Sequence, residues 1–257
     1  MALSQRLRLL PGSPPELLVH DEPSPCSYLA EQTWRLPLRL PLRNLTRKEM
    51  SDRLEHGDRR QGRLLYRTDC PTCRACEPIR IDVEAFRPNR SQRRVWRRGR
   101  DTIALQVGPV EIDERRAELF NLHKRDRGLN RDDTDRGVAA YAAFLGHSCC
   151  QSFEMRYSVD DEVLGIAIVD RAIDSMSAVY FYYHPKFCNL SPGIFSILEQ
   201  IEMCRSQGLK YLYLGLYIAE CQSMAYKSRF MPHERRIDGE WQRFERPALK
   251  EAAPNRS

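Results

Sequence analysis

Cys70, Cys73 and Cys76 stand three residues apart in the stretch DCPTCRACEPIRI. Together with Cys26, a distant fourth, such thiols can complete a tetrahedral zinc site or an iron–sulfur centre. The competing reading is a turn of reduced structural thiols, because zinc ribbons pair one C-x-x-C with a second and this chain offers a single separate partner. Both readings stay open on sequence. His56, His123 and His233 are isolated histidines of the kind that usually cap a helix or face solvent. The chain has 9 cysteines, an odd number. Its opening residues, MALSQRLRLLPGSPPELLVH, are interrupted by Arg6, Arg8, Pro11, Pro14 and Pro15, which suits neither a secretory signal nor a membrane span. The expectation is a cytoplasmic protein in a reducing compartment, with Cys149 and Cys150 a buried pair of small side chains.

Arginine carries the other recognisable chemistry. The 257 residues hold 41 Lys and Arg against 35 Asp and Glu, a net charge of +6. Arg87, Arg90, Arg93, Arg94, Arg97, Arg98 and Arg100 cluster around Val95 and Trp96. A charge run is usually a solvated face. Here the sign is unmixed until Asp101 and an aromatic lies within the run, a combination that suits phosphate pairing and base stacking. A hydrophobic content of 42% is enough for a folded core.

The elements that must position these groups show in the spacing. TWRLPLRLPLR reads as an edge strand or irregular ribbon, restricted by Pro37 and Pro41. Thr46 and Glu49 have capping-box spacing at the start of a short helix that Gly57 stops. IRIDVEAF alternates as a half-buried strand would. EIDERRAELFNLHKRDRG predicts a helix with Leu119, Phe120 and Leu122 on its apolar side, and DRGVAAYAAFLG a second one ending at Gly146. SFEMRYSV, VLGIAIVD and SAVYFYYH predict an antiparallel meander, with Asp160 and Asp161 in the first turn. A helix follows, capped by Ser191 with Pro192 at its first position and Ile194, Ile197, Leu198 and Ile201 as its stripe. YLYLGLYI then alternates, Tyr211, Tyr213, Gly215 and Tyr217 on one face and leucines with Ile218 on the other. A last helix is expected from near Cys221 through SMAYKSRF.

Strand, long crossover helix and strand imply parallel pairing with a right-handed connection. Meander, helix, parallel strand and helix give an α+β fold of the N-acetyltransferase kind, in which two parallel strands splay and the acyl donor enters the gap. Gly215 either permits close approach of that donor or marks a bulge. Acetyl-coenzyme A enzymes of this fold hold a pyrophosphate on a glycine-rich turn at the start of the central helix. Here that turn reads PKFCNLSPGIF, with one glycine and a proline that removes a donor. An aminoacyl-tRNA, an activated ester on a polyanion, needs no such cradle.

CSYL at Cys26–Leu29, RRQGRLLYRTDCPTCRACEPIRI at Arg59–Ile81, RPNRSQRR at Arg87–Arg94, SAVYFYYHP at Ser177–Pro185 and YLYLGLYIAECQSMAYKSRFMPHE at Tyr211–Glu234 together resemble the bacterial aspartate/glutamate leucyltransferases, relatives of the arginyl-tRNA protein transferases. The resemblance runs from about Cys26 to Phe244. It implies transfer of leucine from leucyl-tRNA to the α-amino group of proteins beginning with Asp or Glu, marking them for degradation in the N-degron pathway, with no cofactor required for transfer. Arginyl-tRNA as donor is the alternative. The chain departs from the arginyl branch at Leu29, where that branch has a cysteine, and in its spaced rather than adjacent cysteines. Arginyl transferases are associated with a metal centre or haem at N-terminal cysteines, so the resemblance keeps a zinc or iron–sulfur centre at Cys26, Cys70, Cys73 and Cys76 in view.

Within that frame Asp170, Tyr217 and Lys227 take the catalytic positions, Asp170 to hold or deprotonate the acceptor amine. Arg59, Arg60, Arg80, Arg93, Arg94 and Arg229 are the candidate cations for an acidic acceptor. Tyr180, Tyr213 and Gly215 would line the donor cleft. Asp170 as a strand-end turn partner of Arg171, and the tyrosines as ordinary strand aromatics, are the plain alternatives. The rival functions are an acetyl-coenzyme A transferase and a non-catalytic RNA-binding module. The expected organisation is a flexible tail over 1–24, a cysteine-bearing recognition region over 25–105, the transferase domain over 106–246 and a tail over 247–257, with no membrane partner.

Overall fold

The computed structural model describes residues 7–129 and 135–246. The first part of the chain forms short strands: β1 (Arg8–Leu10), β2 (Glu16–His20), β3 (Ser24–Pro25), β4 (Thr33–Trp34), β5 (Leu38–Pro41), β6 (Arg59–Gln61) and β7 (Leu64–Tyr66), with helix α1 (Arg47–Glu55) between β5 and β6. β1, β2, β5, β7 and β6 make one sheet in that order, and β3 pairs with β4. β5 is therefore internal rather than the edge strand its prolines suggest. Pro37 lies just outside it and Pro41 closes it, so no proline interrupts its ladder. At α1, Thr46 and Glu49 form the expected reciprocal capping box, and Gly57 follows at φ +85°.

The larger sheet is built from β8 (Glu77–Asp82), β9 (Ala104–Gly108), β10 (Ser152–Val159), β11 (Glu162–Arg171), β12 (Ser175–Tyr183), β13 (Tyr211–Tyr217), β14 (His233–Ile237) and β15 (Glu240–Phe244), in the order β15-β14-β8-β13-β12-β11-β10-β9. The meander β10–β11–β12 is antiparallel, and Asp160 and Asp161 turn it with positive φ. Helix α5 (Pro192–Ser206) crosses over to β13, which runs parallel to β12. This is the α+β, N-acetyltransferase-like order expected from the sequence. Ser191, however, does not cap α5 with its side chain: it sits at φ 55°, ψ 52°, because a 3₁₀ turn over Pro185–Leu190 runs straight into the helix.

β8 is central, between β13 and β14, and is covered on both sides, so Ile79, Arg80 and Ile81 are all buried. The half-buried strand expected for IRIDVEAF requires one solvent face, which this position removes. The β14–β15 hairpin beyond it has no counterpart among the elements expected from sequence. The arginine-rich segment is helix α2 (Arg90–Thr102), capped by Asn89 and Gln92. It packs beside α5 over a core that includes Ile81, Met155, Ala167, Val169, Phe195, Leu198 and Leu212. Helix α3 (Glu114–Asp126), helix α4 (Val138–Tyr141) and the π-helical turn Ala142–Gly146 cover the other face, where Phe120, Tyr141, Ile166, Ile168 and Tyr182 pack. Within α3, Ala117 and Phe120 are buried, whereas Leu119 and Leu122 are only partly so. The last helical stretch is short, α6 (Gln222–Ala225) followed by a 3₁₀ turn over Tyr226–Arg229. No helix among the described residues is long and apolar enough to cross a membrane.

Candidate active site

The parallel ladder between β12 and β13 is brief. Ser175, Met176 and Ser177 pair with Tyr211, Leu212 and Tyr213, and beyond them the strands part. Both strands carry an irregularity where they separate. On β12 the register against β11 jumps from Ala178 to Tyr180, leaving Val179 as an extra residue, and on β13 the register against β8 breaks between Tyr213 and Leu216. Gly215 lies in that break at φ +86°, a conformation other residues rarely adopt. Gly215 thus marks the bulge that the sequence allowed, and a side chain of the protein itself comes close to it there. The approaching group is the guanidinium of Arg59: a Cβ on Gly215 would lie 2.9 Å from Arg59 Nη2.

The bulge also answers for Tyr217. It interrupts the alternation read from YLYLGLYI, so Tyr211 and Tyr213 pack with Leu65 and Met50, whereas Tyr217 packs with the core of Leu212 and Leu214. There Arg235 covers its ring at 4.7 Å.

Strand separation leaves carbonyl groups without ladder partners, and side chains meet them. Arg59 Nη2 donates to Ala178 O at 3.3 Å and Nη1 to Ser177 Oγ at 3.2 Å. Lys227 Nζ donates to Leu216 O at 2.6 Å and to Met224 Sδ at 3.1 Å. Desolvation, and secondarily the charge of Arg59, lowers the Lys227 amine from the usual lysine value to about 7. Burial also lowers the pKa of Arg59.

These groups line a cavity of about 320 Å³ between the two sheets. Its walls come from the 26–36 loop (Tyr28, Leu29, Trp34, Leu36), from β6 and β7 (Arg59, Arg60, Tyr66), from the cysteine loop and from the turn at Phe144 and Leu145. The strand gap contributes Ala178, Val179, Tyr180, Leu214, Gly215 and Leu216, with Met224 and Lys227 behind it. Of the sequence candidates, Arg59, Arg60, Tyr180, Gly215 and Lys227 therefore meet in one place, together with Cys26, Cys70, Cys73 and Cys76. Tyr28, Trp34 and Tyr66 are lining residues that sequence reasoning does not single out, although Tyr28 and Tyr66 lie inside the motif stretches CSYL and RRQGRLLY.

The remaining candidates lie elsewhere. Asp170 is fully buried away from the cavity lining, bound to Arg60 Nε at 2.7 Å and accepting from Ser152 Oγ at 2.6 Å. It holds Arg60 in place, and Arg60 also donates to the carbonyls of Gly62 and His147. Arg80 is stacked between Tyr211 at 3.8 Å and Trp241 at 4.0 Å, and it pairs with Glu55, Glu234 and the Tyr213 hydroxyl. Arg93 and Arg94 are exposed on α2, Arg93 donating to Pro88 O, and Arg229 is exposed with its carbonyl accepting from Gln92.

The thiols share one wall of the cavity. Burial and then the neighbouring Cys70, Cys26 and Cys73 raise the Cys76 thiol to about 12, which keeps it protonated. Among the described residues no group of three or more His, Cys, Asp or Glu is arranged to hold a metal ion. As placed, the thiols do not form a ligand set.

A mixed sheet that parts at one parallel pair, over a cavity holding cations and a desolvated amine, is the frame of an acyltransferase. Family models bear on which kind. The N-terminal model of arginine-tRNA-protein transferase matches residues 24–94 and the C-terminal model matches 115–237. The chain belongs to the arginine-tRNA-protein transferase family. It is 36% identical over 220 residues to the aspartate/glutamate leucyltransferase of Chromobacterium violaceum, covering 86% of this chain and 90% of that protein. It is 34% identical over 224 residues to the enzyme of the same name from Thiobacillus denitrificans, covering 86% and 91%. Among solved structures, FemX matches with a TM-score of 0.44 at 10% identity over 65% of this chain and 59% of its own.

Proposed function

We propose that this protein moves leucine from leucyl-tRNA to the α-amino group of proteins that begin with Asp or Glu. The observation that supports leucine over arginine is the composition of the cavity. Among its described lining residues stand Arg59, Arg60 and Lys227, and none is Asp or Glu. An arginyl side chain would be buried beside like charge with no carboxylate to receive it. A leucyl side chain meets Trp34, Leu36, Leu145, Leu214 and Met224.

The ester carries its own activation, so transfer requires alignment and the handling of one proton. Holding amine and ester together can supply about 7–11 kcal/mol of the barrier. The acceptor nitrogen bonds to the ester carbonyl carbon, the bond from that carbon to the ribose oxygen breaks, and the proton shed by nitrogen ends on the ribose hydroxyl. Lys227 suits the relay. In its neutral form its two N–H groups serve Leu216 O and Met224 Sδ, which leaves the lone pair to take the proton.

The test is to incubate the protein with leucyl-tRNA or arginyl-tRNA and peptides beginning Asp, Glu or Ala, and to weigh the products. Leucine is expected on the Asp and Glu peptides alone. The reading falls if arginine moves faster than leucine, or if no peptide gains a residue.

A further inference from the structure

Arg59 is an arginine held in place by neutral groups. Ser177 Oγ and the Ala178 carbonyl each accept one hydrogen bond from it, and Tyr66 lies beside it. The carboxylate that acts on it, Asp170, is bound to Arg60. Its neighbour in the cavity, Lys227, brings no negative charge either, and its hydrogen bonds go to a carbonyl and a thioether. A guanidinium partly drawn out of water without a counter-charge is costly, and the cavity supplies none from its own described lining. The anion it is shaped for must arrive with a substrate.

Two substrate anions are available, a phosphate of the transfer RNA and a side-chain carboxylate of the acceptor. Geometry favours the second. A guanidinium has five N–H donors. Nη1 and Nη2 each use one toward β12 and Tyr66 meets a further one, so the guanidinium keeps two of its five donors for a carboxylate. In an Asp or Glu acceptor the carboxylate is only a few bonds from the attacking nitrogen. Arg59 and Lys227 line the same cavity of about 320 Å³, so a single acceptor residue can place its amine at Lys227 and its carboxylate at Arg59. The nearest phosphate of the donor lies across the ribose from the reacting ester.

Resting on the leucyl-transfer reading, we propose that Arg59 is the specificity residue of this protein, binding the side-chain carboxylate of the acceptor's first residue in the gap between β12 and β13. Gly215 is the companion of that role, since a side chain there would occupy the place of the guanidinium.

The experiment compares peptides beginning Asp and Asn, which differ in charge and little in size, with wild-type protein, Arg59→Gln and Arg59→Lys. Arg59→Gln is expected to lower kcat/KM for the Asp peptide by about 30-fold or more, chiefly through KM, to collapse the ratio of Asp to Asn kcat/KM, and to leave the affinity for leucyl-tRNA in place. Arg59→Lys restores part of the loss. A folded Arg59→Gln that still prefers Asp to Asn as wild type does overturns the proposal, as does a loss of leucyl-tRNA affinity in its place. If the variants do not fold, dicarbonyl labelling of the wild-type protein decides: the Asp peptide must protect Arg59, and equal protection by the Asn peptide counts against it. Absence of any leucine transfer by wild type would instead defeat the reaction assigned above, and the labelling result would stand apart from it.

Discussion

Lys227 and Asp170 are both catalytic candidates by sequence, and their surroundings separate them. The neutral fraction of Lys227 grows as pH rises through about 7, and the acceptor's own amine becomes free at about pH 7.7–8.0. In wild type the pH profile of kcat/KM should carry both ascending limbs. Lys227→Met should remove the limb near 7, leave that of the acceptor amine, and lower the rate roughly 10²- to 10⁴-fold. A stability effect of the opposite kind accompanies it. A lysine whose folded pKa lies below its unfolded value penalises the fold fully at pH below about 7, and the penalty fades as pH rises toward the unfolded value near 10.5. Thermal melts should therefore show Lys227→Met stabilised most near neutrality and below, with the gain shrinking at alkaline pH. Asp170→Asn should act through folding, because it strands the buried Arg60. A loss of about 3–5 kcal/mol in urea unfolding is expected, with turnover per folded molecule changed only a few-fold.

Among the elements, those defined by neighbours close in sequence are legible without the structure. The capping box of α1, the Asp160–Asp161 turn, the meander and the crossover to β13 all depend on residues a few positions apart or on regular alternation. What escapes depends on partners far along the chain: β8 buried on both faces, β5 inside its sheet, and Tyr217 turned by a bulge whose register is set against β8. Helix α2 illustrates both sides. Its exposed arginines follow from sequence, but its helical form, its Asn89 cap and the reason for Gly99 do not. A Cβ there would lie 2.2 Å from the Phe195 ring on α5. Gly99→Ala should therefore destabilise by about 1–3 kcal/mol despite the better helix former, measured by urea unfolding. The outer face of the same helix bears Arg90, Arg93, Arg94 and Arg97 exposed to solvent. Arg94→Glu with Arg97→Glu should weaken transfer-RNA binding and flatten its dependence on salt by about one unit of slope for each phosphate no longer neutralised. The rate at saturating donor should be unaffected.

At the scale of the molecule, the cavity belongs to neither sheet alone. Arg59 and Arg60 reach it from β6, while the gap that Arg59 enters is made by β12 and β13. Each partner is visible separately in the sequence, as an arginine-rich motif and as a splayed parallel pair, but nothing local shows that one plugs the other. The same interdependence governs β8. Its ladder partners are β13 and β14, which lie much later in the chain. A strand made early and paired late is left waiting while the ribosome adds residues at roughly 5–20 per second, its N–H and C=O groups unmet and its isoleucines uncovered. The newborn protein thus passes through an interval in which a strand destined for the interior is a sticky edge, open until the last hairpin closes over it.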